Sequence, residues 1–143
     1  MQNNPHTTLV TPKAPIATDT LGGRAKCLQR LVRLYLPVPR TVALSFEAVE
    51  RIARGEMPDI PVIVSQFAEG ALLCVRPSSE DPDWGGPGAI LNIGMNADRQ
   101  ADLAARLGAE AAEAIYTRFV QSYAVDVARL DPDMFDVVRP GIA

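Results

Sequence analysis

Two stretches of this chain carry residue types suited to holding an anion. The first is Gly22-Gly23-Arg24. Glycines let a backbone approach a ligand closely, amides at a helix start carry partial positive charge, and an arginine in the first turn adds a charged fork. The second is Arg76-Pro77-Ser78-Ser79, which follows the apolar run Ala71-Leu72-Leu73-Cys74-Val75 and leads to Trp84-Gly85-Gly86-Pro87-Gly88. An arginine and hydroxyls at the end of a strand, beside a glycine loop, suit a phosphate clamp. Each pattern also has a plainer reading. The first can be a tight turn into a helix with a solvated arginine, and the second an arginine paired with Glu80 or Asp81.

Composition narrows the chemistry further. The only histidine of the 143 residues is His6, in a polar stretch, so histidine metal sites, Ser/His triads and a phosphohistidine in the folded body are not expected. Residues 1–76 carry a formal charge of +3 and residues 77–143 carry −6. Arg24, Lys26, Arg30, Arg33 and Arg40 lie in one stretch without an acid, a local positive field that attracts phosphate or an acidic partner. Lys26, Arg30 and Arg33 share a helical face that fits an acidic protein partner. The overall pI near 5.1 argues against general nucleic-acid binding. Glu80, Asp81 and Asp83 read as a solvated acidic turn, and Asp131, Asp133 and Asp136 as a helix cap, so no metal site is expected. Cys27 and Cys74 sit among apolar residues and read as buried thiols, with a reducing cytoplasm as the natural compartment. No apolar run reaches the roughly 18–20 residues of a spanning helix, and no secretory signal is expected.

The elements that would position these residues follow from periodicity and punctuation. Length argues for one domain burying roughly two-thirds of its unfolded surface, enough for a core without staples. Residues 1–17 read as a flexible leader with a short strand near Thr8–Val10, residues 18–137 as the single domain, and 138–143 as a tail. An amphipathic helix is expected over Arg24–Leu36, with Leu28, Leu31, Val32 and Tyr35 on its inner face, ended by Pro37 and Pro39. A strand over Thr41–Leu44 precedes a helix over Phe46–Arg54, capped by Ser45 and stopped by Gly55. Asp59–Glu69 fits a short helix, Ala71–Val75 a buried strand and Ala89–Met95 another strand. Asn96 caps a helix over Ala97–Leu107, and Gly108 separates it from a helix over Ala109–Leu130 with Ile115, Phe119, Tyr123 and Val127 in a stripe. The fold class is α/β or α+β, a small mixed sheet flanked by helices.

Three of these stretches, in this order, resemble the nucleotide-binding domain of the pyruvate phosphate dikinase and phosphoenolpyruvate synthase family. LGGRAKCLQRLVRLYLPVP is similar to that family's Gly-Gly-Lys-Gly helix. VRPSSEDPDWGGPGAILNIGMN is similar to its Val-Arg-Ser segment, glycine loop and following strand, and IYTRFVQSYAVDVARLDPDMF to its later helix. The resemblance spans about Leu21 to Phe135 and implies one lobe of an ATP-grasp site. By position it places Arg24 at the phosphate-contacting lysine, Arg76 at the arginine after the strand, and Gly85 at the loop glycine over the transferring phosphoryl group. Gly22, Gly23, Ser78 and Gly86 complete the expected contacts to ATP or a related nucleotide.

Several positions depart from the family pattern. Arg24 replaces lysine, Ala25 the second glycine, Pro77 a serine, and Asp83-Trp84 the usual Met-Pro, which brings negative charge toward the phosphate position. The connection from Phe46 to Leu72 is short. The family's opposing lobe with its magnesium-binding acids, its phosphohistidine domain and its barrel do not fit in 143 residues. The resemblance therefore implies an ATP- or phosphate-binding module that is not catalytic alone, with Mg²⁺ arriving with the nucleotide or a partner. A regulatory or interaction module that kept the fold and lost ATP is the alternative, and one lobe of a split phosphotransferase is a third.

Overall fold

The computed structural model describes residues 6–79 and 88–134. These residues form two compact units, one of residues 6–69 with 78–79, the other of residues 70–77 with 88–134. The sequence reads as one domain over residues 18–137. The mixed α+β class holds, but the expected single mixed sheet is two separate antiparallel strand pairs.

In the first unit, β1 (Thr7–Leu9) pairs with β2 (Val42–Leu44), Thr8 opposite Ala43. The pairing is extended by the Val10 N–H donating to the Thr41 carbonyl (2.9 Å) and the Ser45 N–H to that of His6 (3.0 Å). Helix α1 (Thr18–Arg33) packs on β2 and on α2 (Phe46–Ala53). Ser45 caps α2 as its sequence position implies, its Oγ accepting from the Ala48 N–H at 3.1 Å. Asp59 caps the single-turn α3 (Ile60–Val64) in the same way through the Val62 N–H.

The stretch read as a leader is part of this core. Val10 and Ile16 are buried with Leu21, Ala25 and Ala43, and each large member contributes about 1.5–3 kcal/mol on burial. Helix α1 holds residues 11–16 by their carbonyls. Lys26 Nζ donates to Ile16 (2.7 Å), Gln29 Nε2 to Thr11 (3.0 Å) and Ala14 (2.7 Å), and Arg33 Nε to Pro12 (2.8 Å). Gln29 is fully buried. Two of the three cations proposed for an acidic partner, Lys26 and Arg33, thus have partners within the chain. Residues 11–16 run through turns, the Ala14 N–H donating to the Thr11 carbonyl (3.2 Å) and the Ile16 N–H to that of Ala14 (3.0 Å), and the α1 side chains reach these carbonyls and those of Pro12 and Ile16 from the other side.

The second unit holds β3 (Leu73–Val75) against β4 (Ile90–Ile93), with an irregularity between Leu73 and Val75. Helix α4 (Ala97–Leu107) begins at Asn96, whose Oδ1 accepts from the Arg99 N–H (2.9 Å). Gly108, at φ 92°, separates it from α5 (Ala109–Ser122), which packs on α4 and β4. The stripe expected over Ala109–Leu130 continues as a π-helical turn, Tyr123–Val127, and Phe119 meets Tyr123 with ring centroids 5.9 Å apart.

Burial departs from expectation in three places. Cys27 and Cys74 are both exposed. Cys27 lies on the outer face of α1 with exposed Arg24 and Arg30 at three-residue spacing, and Cys74 and Val75 lie on a strand of a two-stranded sheet, where a continuous apolar run need not be covered on both faces. Tyr35 lies beyond the end of α1 and faces solvent. Among the described residues the buried hydrophobics are mostly small, five of nine being alanine, while many large ones remain exposed.

Candidate functional site

Helix α1 is two helical segments joined at Gly22, whose φ 82° and ψ 161° are open to glycine and to few other residues. The glycine pair is therefore a kink inside a helical run rather than a turn before one. Against it lies the segment that opens with Ser78. Ser78 Oγ donates to the Leu21 carbonyl (3.3 Å), and the Gly23 N–H donates to the Ser79 carbonyl (2.8 Å). A Cβ on Gly22 would overlap Ser78 Oγ and lie 2.9 Å from Ser78 Cβ, so this contact admits no side chain. A Cβ on Gly23 would sit at an ordinary 3.6 Å from the Ser79 carbonyl oxygen. Two stretches singled out separately in the sequence, 57 residues apart, thus meet through backbone and hydroxyl groups.

Arg24 follows directly, exposed, and among the described residues its guanidinium has neither a hydrogen bond nor an ion pair. Arg76 is exposed beyond β3 in the second unit and is likewise unpartnered among the described residues. Gly85 and Gly86 lie outside the described residues, as do Glu80, Asp81, Asp83, Trp84 and Asp136. The junction offers a rigid, close-packed backbone corner with one cation facing solvent beside it. The Gly23 amide, the donor best placed for an anion, is already bonded to Ser79.

Sequence reasoning missed a second polar group in the first unit. His6 Nε2 and an Arg51 terminal nitrogen lie 2.9 Å apart, and Arg51 Nε pairs with Glu56 Oε2 at 2.7 Å. They border a pocket of about 160 Å³ walled by Leu44, Ile52, Met57 and Ile63. His6 looked isolated because only the β1–β2 pairing brings it to α2, 45 residues away. The i, i+5 spacing of Arg51 and Glu56 across Gly55 was the one local signal available.

Among the described residues no helix is long and apolar enough to cross a membrane, and no group of three or more His, Cys, Asp or Glu side chains gathers to hold a metal ion. No protein-family model matches the chain, and no curated protein matches it. The dikinase resemblance therefore rests on the three motifs quoted above.

Proposed function

We propose that this chain binds a phosphate-bearing ligand, a nucleotide such as ATP on the resemblance, at the corner made by Gly22, Gly23, Arg24 and Ser78, without catalysing phosphoryl transfer by itself. The observation that supports this reading is the meeting of the Gly22-Gly23 kink with Ser78, whose Oγ donates to the Leu21 carbonyl, next to an Arg24 without a partner among the described residues. A phosphate needs close backbone approach and a cation, and the corner supplies the first while Arg24 supplies the second. Binding exchanges the neutral Gly23–Ser79 hydrogen bond, worth about 0.5–1.5 kcal/mol net, for a charge-assisted one worth about 1.5–3 kcal/mol. That exchange favours the ligand. Mg²⁺ would arrive bound to the nucleotide. Phosphoryl transfer is mostly positioning and charge neutralisation, and the resemblance assigns the metal-binding acids and the phosphohistidine to other domains.

Titration of the isotope-labelled chain with ATP, ADP and inorganic phosphate tests the reading. The amide resonances of residues 22–24 and 78–79 shift saturably, and Arg24→Ala weakens binding about tenfold through loss of one charged contact. A flat response at millimolar ligand overturns it. The reading in which the chain kept the fold and lost ATP has one observation of its own, the Gly23 amide already bonded to the Ser79 carbonyl. A flat titration would favour it.

A further inference from the structure

We propose that this chain self-associates, the exposed Leu34, Tyr35 and Leu36 hook of one copy docking on the acidic, apolar residues 130–134 of a second copy. This inference is independent of the ligand reading above.

The hook begins with a backbone oddity. Helix α1 ends with the Tyr35 N–H donating to the Val32 carbonyl (3.0 Å) and the Leu36 N–H to that of Leu31 (3.1 Å). This reverse turn places Tyr35 at φ 59°. Helix α2 ends with the same two bonds, Gly55 to Ile52 (2.9 Å) and Glu56 to Arg51 (3.0 Å), with Gly55 at φ 91°. The position favours glycine, and a side chain there is strained. Tyr35 nevertheless occupies it, 97% exposed, between exposed Leu34 and Leu36. An aromatic side chain held in a strained turn and pointed at solvent is a poor way to stabilise a helix. It is a good interface anchor, since tyrosine and arginine dominate binding energy at protein contacts.

The surroundings of the hook define what fits it. Arg30 and Arg40 flank it, both exposed and without a hydrogen bond or ion pair among the described residues. No acid occurs between Arg24 and Arg40. The complementary surface is apolar with carboxylates beside it, and this chain carries one. Leu130 and Met134 are exposed. Between them Asp131 and Asp133 are exposed and unpaired with any cation among the described residues. The segment has a defined shape, because Asp131 Oδ1 accepts from the Asp133 N–H (3.0 Å) and the Leu130 N–H donates to the Ala124 carbonyl (2.9 Å). A second copy brings this segment at the protein's own concentration. A uniformly anionic surface fits less well, because the chain's net charge of −3 opposes it at long range.

Sedimentation equilibrium of the full chain, from micromolar to millimolar, tests the proposal. The wild type associates reversibly, and more weakly as salt screens the arginine–aspartate pairs. Tyr35→Gly weakens association at least tenfold while folding stability is kept or raised, which separates a lost anchor from a lost fold. Arg30→Glu with Arg40→Glu is monomeric alone, as is Asp131→Arg with Asp133→Arg, and an equimolar mixture of the two associates again. A wild type that stays monomeric throughout overturns the proposal. So does association unchanged by Tyr35→Gly and by both charge reversals, and so does a monomer that uses Tyr35 to bind phosphatidylserine vesicles.

Discussion

Helix α1 needs a positive φ at two places, and the chain meets the need in opposite ways. At the kink it has Gly22, pressed against Ser78 so closely that a Cβ has no room. At the far end it has Tyr35, in the same half of backbone space but surrounded by solvent. The backbone demand differs along with the neighbourhood, because φ 82° with ψ 161° is open to few residues but glycine, whereas a φ of 59° costs a side chain about 1–2 kcal/mol. Where another segment touches the turn, glycine is compulsory. Where the turn is open, a side chain is tolerated for about 1 kcal/mol and its identity can serve an outward purpose. Gly108, at φ 92° and ψ 153°, shows that this backbone calls for glycine even in open space, since a Cβ there would meet nothing within 4 Å. Among the described residues Asn92 and Arg129 share with Tyr35 a positive φ on a residue other than glycine, and of the three Tyr35 is the aromatic one.

Breaking the closed end should have the largest effect. Gly22→Ala combines a forbidden backbone conformation with overlap against Ser78 and should cost about 3 kcal/mol, whereas Gly23→Ala, one residue on, should stay within about 0.5 kcal/mol. Urea unfolding of the two variants measures the difference, and equal losses would show that the Ser78 contact does not restrict Gly22. Between the two ends, Gln29→Leu removes the two Nε2 hydrogen bonds to the carbonyls of Thr11 and Ala14, each of which keeps a backbone donor. The loss should be about 1 kcal/mol, with faster amide exchange at Val10 and Ile16 as its local signature. The smallest effect has the opposite sign. Tyr35→Gly relieves the open turn and should stabilise the monomer by about 0.5–1 kcal/mol. A thermal midpoint that falls would mean Tyr35 makes a stabilising contact within its own chain.

Signals that act within one turn were legible in the sequence. Ser45 and Asn96 cap the helices they precede, and Gly55 and Gly108 end them, because each needs only its own backbone and a side chain three residues away. The Gly22, Arg24 and Ser78 constellation was legible as residue types, but its assembly was not. Nothing local says that the Ser78 hydroxyl will face the Leu21 carbonyl. The basic face of α1 shows the same limit. Its Lys26 and Arg33 are cations in sequence, and only the course of residues 11–16 turns them into donors to a strap. The later helix shows a finer failure. Its stripe repeats every four residues, which drifts by about 40° per step on an ideal helix. The turn from Tyr123 to Val127 widens instead, the Ala128 N–H bonding back to the Tyr123 carbonyl at 3.0 Å.

Taken alone, the order of residues determined where helices start and stop and the uneven distribution of charge, since these depend on neighbours in the chain or on counting. Tertiary structure decided which strand pairs form, that Cys27, Cys74 and Tyr35 face water, and that Gly22 lies against Ser78. Burial and contact are properties of surfaces brought together across tens of residues, and a one-dimensional pattern fixes only which side chains are available to meet.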